Sequence, residues 1–575
     1  MTMRWTFVAA GLAAALTAAC SDADARRTAA VTSALRARVT PSSRPSYVTA
    51  DAEGARLWKL TREFYAKREY APAWIDGTQP RPQIEGFVKA LWAADHEGLD
   101  PELYSVKTIH ARWREASKGF LTQKGFEPNE AGALDARLTY LYMRYASDLA
   151  DGLSDLAHAD RAWHIRPEAF DPRVHLEQAL EDGDITKALE GLTPETTHYR
   201  RLREALRALR EQQSGGSWPL VRAALKLKPG QRSPHVASVA KRLAASGDFD
   251  GPVPPEHQPA VYDTELQEAV KRFQRRHGLQ DNGVIDAALV AQMNVPIEER
   301  IRQVQMNLER WRWLPRDMGE RFVLVNVPEY RLEIWDNGEV PLSMRVVVGK
   351  TDTPTPIFND EMTHLVFSPY WNVPSSIAEG ETLPAFMQDP DFLRRTNMEI
   401  VDASGQVVDP SSIDVSDPTQ YRFRQRPGAD NSLGLVKFMF PNQHSVYLHD
   451  TPADSLFERA GRSLSHGCVR VEKPVELAQY VLRDQPEWTR EKIEEAMHAG
   501  QERTVKLKAP LPVYLGYWTA RVAADGTLQF RKDIYGIDKR LTALLADRLA
   551  KLRRSADASA MHGAPRTTAT GSSAS

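Results

Sequence analysis

The apolar positions of this chain change period partway along it. From Asp51 to about Gln213 they recur every three or four residues, as in Leu57, Leu60, Phe64 and Tyr65, then Phe87, Leu91 and Trp92, then Leu134, Leu138, Leu141, Tyr142 and Tyr145. That spacing predicts helices, each burying one stripe, and the stripes read as the core of a bundle rather than as a binding surface. Between Ser217 and Val295 three shorter helical patterns follow (His235 to Leu243, Asp263 to His277, Asp286 to Met293), the last two separated by the turn-rich loop Gly278 to Gly283. Arg310-Trp311-Arg312-Trp313-Leu314 ends a further helical pattern and reads as a clamp between two domains.

From Arg321 the period falls to two. Phe322 to Val327, Arg331 to Trp335 and Leu342 to Val348 read as strands, with Asp336-Asn337-Gly338 as a hairpin turn. Between Ser375 and Ser432 this rhythm breaks into a Pro- and Asp-rich stretch, which predicts an inserted lid or binding loop. Leu435 to Phe440 and Val446 to Leu448 resume the sheet. Pro474 to Leu482 predicts a helix, and Thr504 to Leu507, Val513 to Val522 and Leu528 to Phe530 predict further strands. The expected fold class is therefore α+β and multi-domain, with a helical N-terminal half and a mostly antiparallel or barrel-like β domain.

A chain of 575 residues is too long for one core. The expected partition is a signal segment over 1–20, a flexible linker over 21–50, a helical domain over 51–215 and a three-helix domain over 216–296. A β domain over 297–540, with its insertion at about 375–432, precedes a C-terminal helix and disordered tail over 541–575. Lysine and arginine (74) nearly balance aspartate and glutamate (76), so no global field argues for nucleic acid or an anionic membrane surface. Arg4 followed by the apolar run Phe7 to Leu16 reads as an export signal, too short for a membrane span.

The chain has two cysteines, Cys20 and Cys468. If Cys20 is modified or removed on export, Cys468 keeps an unpaired thiol in an oxidising compartment, which argues for chemical use. It stands in Ser465-His466-Gly467-Cys468-Val469-Arg470, and His449 follows Tyr447 and Leu448 upstream. An imidazole beside a thiol lowers its pKa and can carry its proton to a leaving amine. Either His449 or His466 suits that role on residue chemistry alone. Gly467 permits close backbone approach, and N–H groups around Cys468 suit a developing oxyanion. Inert packing of the thiol and zinc ligation by His449, His466 and Cys468 are the rival readings; no CxxC or HxxxH spacing completes a zinc site.

His449, Ser465, His466, Gly467 and Cys468, with Arg470 at the final polar position, resemble the signature of the YkuD-type L,D-transpeptidases. Phe64-Tyr65 through Trp74 and Gly98 to Pro101 resemble the scaffold region of their large, multi-domain (YcbB-like) form. Phe273-Gln274, His277-Gly278-Leu279 and Gly283-Val284-Ile285 resemble the three-helix peptidoglycan-binding repeat, although Ala288 stands where that repeat often has threonine. The resemblance implies Cys468 as nucleophile, His449 as proton donor and acceptor, and Ser465, His466 and Gly467 as shapers of the nucleophile's turn and oxyanion hole. It implies a capping subdomain at the insertion, a tetrapeptide stem as donor, a diamino-acid side chain as acceptor, a 3→3 cross-link, and acylation of Cys468 by carbapenems. No cofactor or metal is expected. Leu16 to Cys20 resembles a lipoprotein processing site, so the expected location is periplasmic with a lipid anchor at Cys20 as the sole membrane contact. Contact with glycan strands is a further expectation.

Arg470 suits either a substrate carboxylate or bracing of its loop. Tyr447 and Trp371 are the candidate walls of the donor groove. The alternatives are an L,D-carboxypeptidase or protein-to-peptidoglycan attachment through the same thioester, and a peptidoglycan-binding structural protein. A papain-like order is disfavoured, because there the cysteine precedes its histidine.

Overall fold

The computed structural model describes residues 25–119, 125–153, 163–389, 391–413 and 420–562. Residues 1–20, for which an export signal is expected, lie outside the described residues, and Cys20 with them. No helix among them is long and apolar enough to cross a membrane.

The helical half is built around Pro128–Ala150, whose residues are buried on every face. One charged group inside it orders a whole loop. The fully buried Asp135 carboxylate accepts N–H bonds from Ala73, Trp74 and Ile75 (2.9, 2.8 and 3.0 Å) and the Tyr65 hydroxyl at 2.6 Å. Burial raises its pKa, and these bonds oppose the rise. The helix Ala52–Lys67 packs on it with Leu57, Trp58, Phe64 and Tyr65 inward, capped by Asp51, which accepts from Gly54 at 2.6 Å.

Residues 25–39 correct the linker reading of 21–50. They form a helix, and Val31, Leu35 and Val39 are buried in the same core. A stripe of one aliphatic every fourth residue docks on a neighbour even where the composition between is Ala, Arg, Ser and Thr.

The three-helix domain has a separate core of Val239, Leu243, Leu266, Phe273, Leu289 and neighbours, and Asp263 and Asp286 cap two of its helices. Its His277 is buried and stacks on Phe273 at 3.8 Å between centroids. It docks on the β domain where Arg531 donates to the Arg276 carbonyl at 3.1 Å and the His277 ring stacks on Phe530 at 5.6 Å between centroids.

The helix Ile297–Arg312 ends in the Arg-Trp-Arg-Trp run, which lies between the two halves. Trp311 stacks on Trp518 at 4.8 Å, and Trp313 meets Trp163 edge-on at 5.2 Å. Arg312 pairs with Glu309 at 2.7 Å in full burial.

The β domain holds one large sheet. Its strands, numbered in chain order, are β1 Arg321–Asn326, β2 Arg331–Asp336, β3 Glu339–Gly349, β4 Phe358–Phe367, β5 Val436–Met439, β6 Leu448–His449, β7 Ser463–Ser465, β8 Val469–Val471 and β9 Arg503–Gly516. Their order is β7-β3-β8-β6-β5-β4-β9-β1-β2, and β2 also pairs with β3, which closes the sheet on itself. Most pairs are antiparallel; β6–β8, β7–β3 and β9–β1 are parallel. Strand β9 shifts register between Lys506 and Leu511, around Pro510, a residue that cannot donate to the ladder.

The insertion forms a second sheet in the order Val407–Val408, Met398–Val401, Arg422–Gln425, Trp371–Asn372. Its small core is Val373, Leu393, Ile400 and Phe423. The C-terminal helix Ile537–His562 returns to the helical half, with Ile537 and Leu541 buried and Asp538 paired to the fully buried Arg310.

Candidate active site

Two short strands bring the sequence-predicted residues together. β6 and β8 are parallel neighbours in the register Leu448↔Val469 and His449↔Arg470. Paired residues on parallel strands point to the same face, and faces alternate along each strand. Leu448, Val469 and Val471 fill the core. Their alternates His449 and Arg470 stand on the opposite face, and Tyr447 and Cys468 continue that face by one step. The Tyr447 ring lies 5.7 Å from the His449 ring, and the Tyr447 side chain hydrogen-bonds the Cys468 thiol.

His449 is 4% exposed. Its Nδ1 lies 2.6 Å from the Asp450 carbonyl oxygen, and the Leu433 backbone also faces the ring. A carbonyl only accepts, so Nδ1 carries the proton and Nε2 of the neutral ring keeps its lone pair. Burial, then the nearby Arg470 charge, pushes the imidazole down to about 3. The half-buried Cys468 thiol is pushed up by burial, opposed by hydrogen bonds from Tyr447 and by Arg470. The sequence predicts a thiolate made stable by an imidazole. In the folded chain burial disfavours the charged form of both groups.

The turn that presents the thiol is fixed from two sides. Gly467 sits at φ +120°, a conformation that costs any side chain strain. Ser465 bridges the turn: its Oγ accepts from Gly467 N at 3.1 Å and donates to the Cys468 carbonyl at 2.6 Å. Beneath it, the buried Thr355 Oγ1 donates to the Gly467 carbonyl at 2.7 Å and accepts from Gly349 N at 2.9 Å. Tyr535 accepts from Thr355 N at 3.2 Å and donates to the Gly349 carbonyl at 2.7 Å. Thr353 donates to the Ser465 carbonyl at 3.2 Å. Sequence reasoning missed these braces. The alternation Thr353-Pro354-Thr355-Pro356 was the available signal, since prolines hold such a segment extended without donors of their own.

Ser465 therefore braces the turn, and the Gly467 N–H is already used. No partner of the Cys468 N–H occurs among the described residues. His466 is exposed and meets Glu381 of the inserted subdomain, with Nε2 and Oε1 2.8 Å apart. The Ser445 carbonyl lies 3.9 Å from Cys468 Sγ, in a turn organised by Asn442. Trp371 pairs with Gln425 in the inserted sheet and packs against that subdomain's core. Among the described residues no group of three His, Cys, Asp or Glu side chains is arranged to hold a metal.

A family model for a scaffold domain matches residues 59–206, one described as "Putative peptidoglycan binding domain" matches 232–293, and one for the YkuD L,D-transpeptidase catalytic domain matches 320–501. A Haemophilus influenzae protein described as "Putative L,D-transpeptidase" is 35% identical over 243 residues, which are 42% of this chain and 49% of that protein. The chain thus spans about half the length of the curated relative it matches. Among solved structures, an L,D-transpeptidase from Mycobacterium smegmatis is 15% identical over 34% of this chain and 58% of its own, with a TM-score of 0.17. One from Stackebrandtia nassauensis is 13% identical over 52% and 96%, with a TM-score of 0.21. The chain is therefore a multi-domain protein that joins a YkuD-family L,D-transpeptidase catalytic domain to a scaffold domain and a peptidoglycan-binding domain.

Proposed function

We propose that this protein is a periplasmic L,D-transpeptidase that forms 3→3 peptidoglycan cross-links through an acyl-thioester on Cys468. The observation that carries the reading is the parallel register of β6 and β8, with His449 and Arg470 paired and Cys468 one step away on the same face.

As Sγ attacks the carbonyl between the donor stem's third diamino acid and its terminal D-alanine, the thiol proton passes to the free Nε2 of His449. The unpaired N–H of Cys468 is the donor best suited to the developing oxyanion. The C–N bond then breaks and the imidazolium gives its proton to the departing amine. The side-chain amine of a second stem attacks the thioester, His449 takes its proton, and the sulfur leaves and is reprotonated. One amide replaces another of similar energy, so neither nucleotide nor metal is required. The Asp450 carbonyl holds the ring in the reactive tautomer throughout.

Export to the periplasm and a lipid anchor at Cys20 belong to the same proposal. The test is muropeptide mass analysis of sacculi incubated with the enzyme. The expected result is 3→3 dimers with wild type and none with Cys468→Ala; release of D-alanine without dimers would replace the proposal by an L,D-carboxypeptidase. A carbapenem is expected to add its mass to Cys468, read by intact-mass spectrometry, and active enzyme without an adduct would count against the site.

A further inference from the structure

One charged group of the site has no counter-charge. Arg470 is partly buried on β8, paired across to His449 of β6 on one side and to Val347 of β3 on the other. Neither neighbour can neutralise a guanidinium. Tyr447, His449 and the Cys468 thiol share its face, and none of them is a carboxylate. Its Nε is buried without a partner, and no hydrogen bond or ion pair to the guanidinium occurs among the described residues. Other arginines of this domain differ: Arg345 holds Glu458 and Glu472, and Arg521 holds Glu329 and Glu333. Loop bracing, which would require such partners, does not account for Arg470. A desolvated cation left unpaired is costly unless a ligand completes it.

We propose that Arg470 is the group that binds the free carboxylate of the donor's C-terminal residue and so restricts cleavage to the last peptide bond of the stem. The distances on the chain suit this. Residues 468 and 470 are about 6.6 Å apart along a strand. The carboxylate carbon of a C-terminal residue is three bonds from the attacked carbonyl carbon, at most about 4 Å away. With the thiol at that carbonyl, a leaving-side carboxylate falls within the arc of an arginine two residues further on the same face. Arginine offers a planar pair of donors that matches a carboxylate and not a carboxamide. The amine that leaves carries this carboxylate away, which vacates the cation's side of the site for the acceptor. An internal peptide bond presents no charge at this point, so the unpaired guanidinium would remain unpaired on a longer stem.

The proposal rests on the transpeptidase reading, and its test separates the two. Three donors are compared: the tetrapeptide acid, the same tetrapeptide with its C-terminus as carboxamide, and a pentapeptide. Release of the C-terminal residue and acyl-enzyme formation are measured for wild type, Arg470→Gln and Arg470→Lys. Alkylation of Cys468 by iodoacetamide and thermal melting check that each variant is folded with an accessible thiol. Wild type should favour the acid over the carboxamide by about 10- to 100-fold in kcat/KM, the range of a charge-assisted hydrogen bond. Arg470→Gln should reduce that ratio to near one, with the loss falling on the acid alone, and Arg470→Lys should restore part of it. A folded Arg470→Gln enzyme that keeps the full acid-to-carboxamide ratio would overturn the assignment and leave the transpeptidase reading intact. Wild type that alkylates normally but acylates from none of the three donors would overturn both.

Discussion

Replacing Thr355 by valine tests whether the nucleophile's turn depends on its braces. Thr355 is 1% exposed, and its hydroxyl serves two backbone groups, the Gly467 carbonyl at 2.7 Å and the Gly349 N–H at 2.9 Å. Valine keeps the shape and removes both bonds. Each buried group left unsatisfied costs about 1–3 kcal/mol, so the variant should lose about 2–6 kcal/mol. In a domain of this size 1 kcal/mol corresponds to a shift of about 2–4 °C, so the midpoint should fall by at least about 4 °C. Thr355→Ser keeps the hydroxyl and loses one methyl, for which about 1 kcal/mol is expected. The Gly467 carbonyl immediately precedes the Cys468 residue in the same turn, so a looser turn also misplaces the sulfur. Donor acylation by Thr355→Val should fall about tenfold or more at a temperature where the variant is fully folded. Differential scanning fluorimetry and acyl-enzyme formation by mass spectrometry read the two effects. A valine variant equal to wild type in both would refute the reasoning, as would a serine variant as impaired as the valine one.

Two other outcomes follow from the buried charges. His449 is held down to about 3 in the folded chain against 6.5 unfolded, so the unfolded state binds more protons between those values. Its contribution is fully present above pH 6.5 and is lost as pH falls towards 3; relative to His449→Gln, wild type should lose about 3 kcal/mol between pH 7 and pH 4 in urea unfolding, and a constant difference would contradict the assignment. Asp538→Ala leaves the fully buried Arg310 without its partner 2.5 Å away and should cost about 3–5 kcal/mol, seen as protease-sensitive release of the C-terminal helix.

Much of this organisation was legible because its signals are local. The period-two strands from Arg321 and the clamp at Trp311 and Trp313 each rest on residues near in sequence. The helix over 25–39 was not, since three aliphatics spaced by four look like background until Pro128–Ala150 offers them a surface. Asp135 carried no signal, because its three N–H donors come from some sixty residues earlier. Trp371 adjoins strand-like sequence, but its pairing partner is Gln425 of the insertion. The protonation of the His449–Cys468 pair depends on desolvation, which residue identity and spacing do not encode.

The reading stands on a covalent bond between substrate and Cys468. Wild type should be mixed with a tetrapeptide donor, quenched within seconds in acid and digested, and the peptide containing residue 468 weighed. The account predicts that this peptide gains the mass of the donor less its terminal D-alanine, that hydroxylamine removes the adduct, and that Cys468→Ala gives none. Cross-linked product formed with no adduct on Cys468, or formed equally by Cys468→Ala, would contradict it.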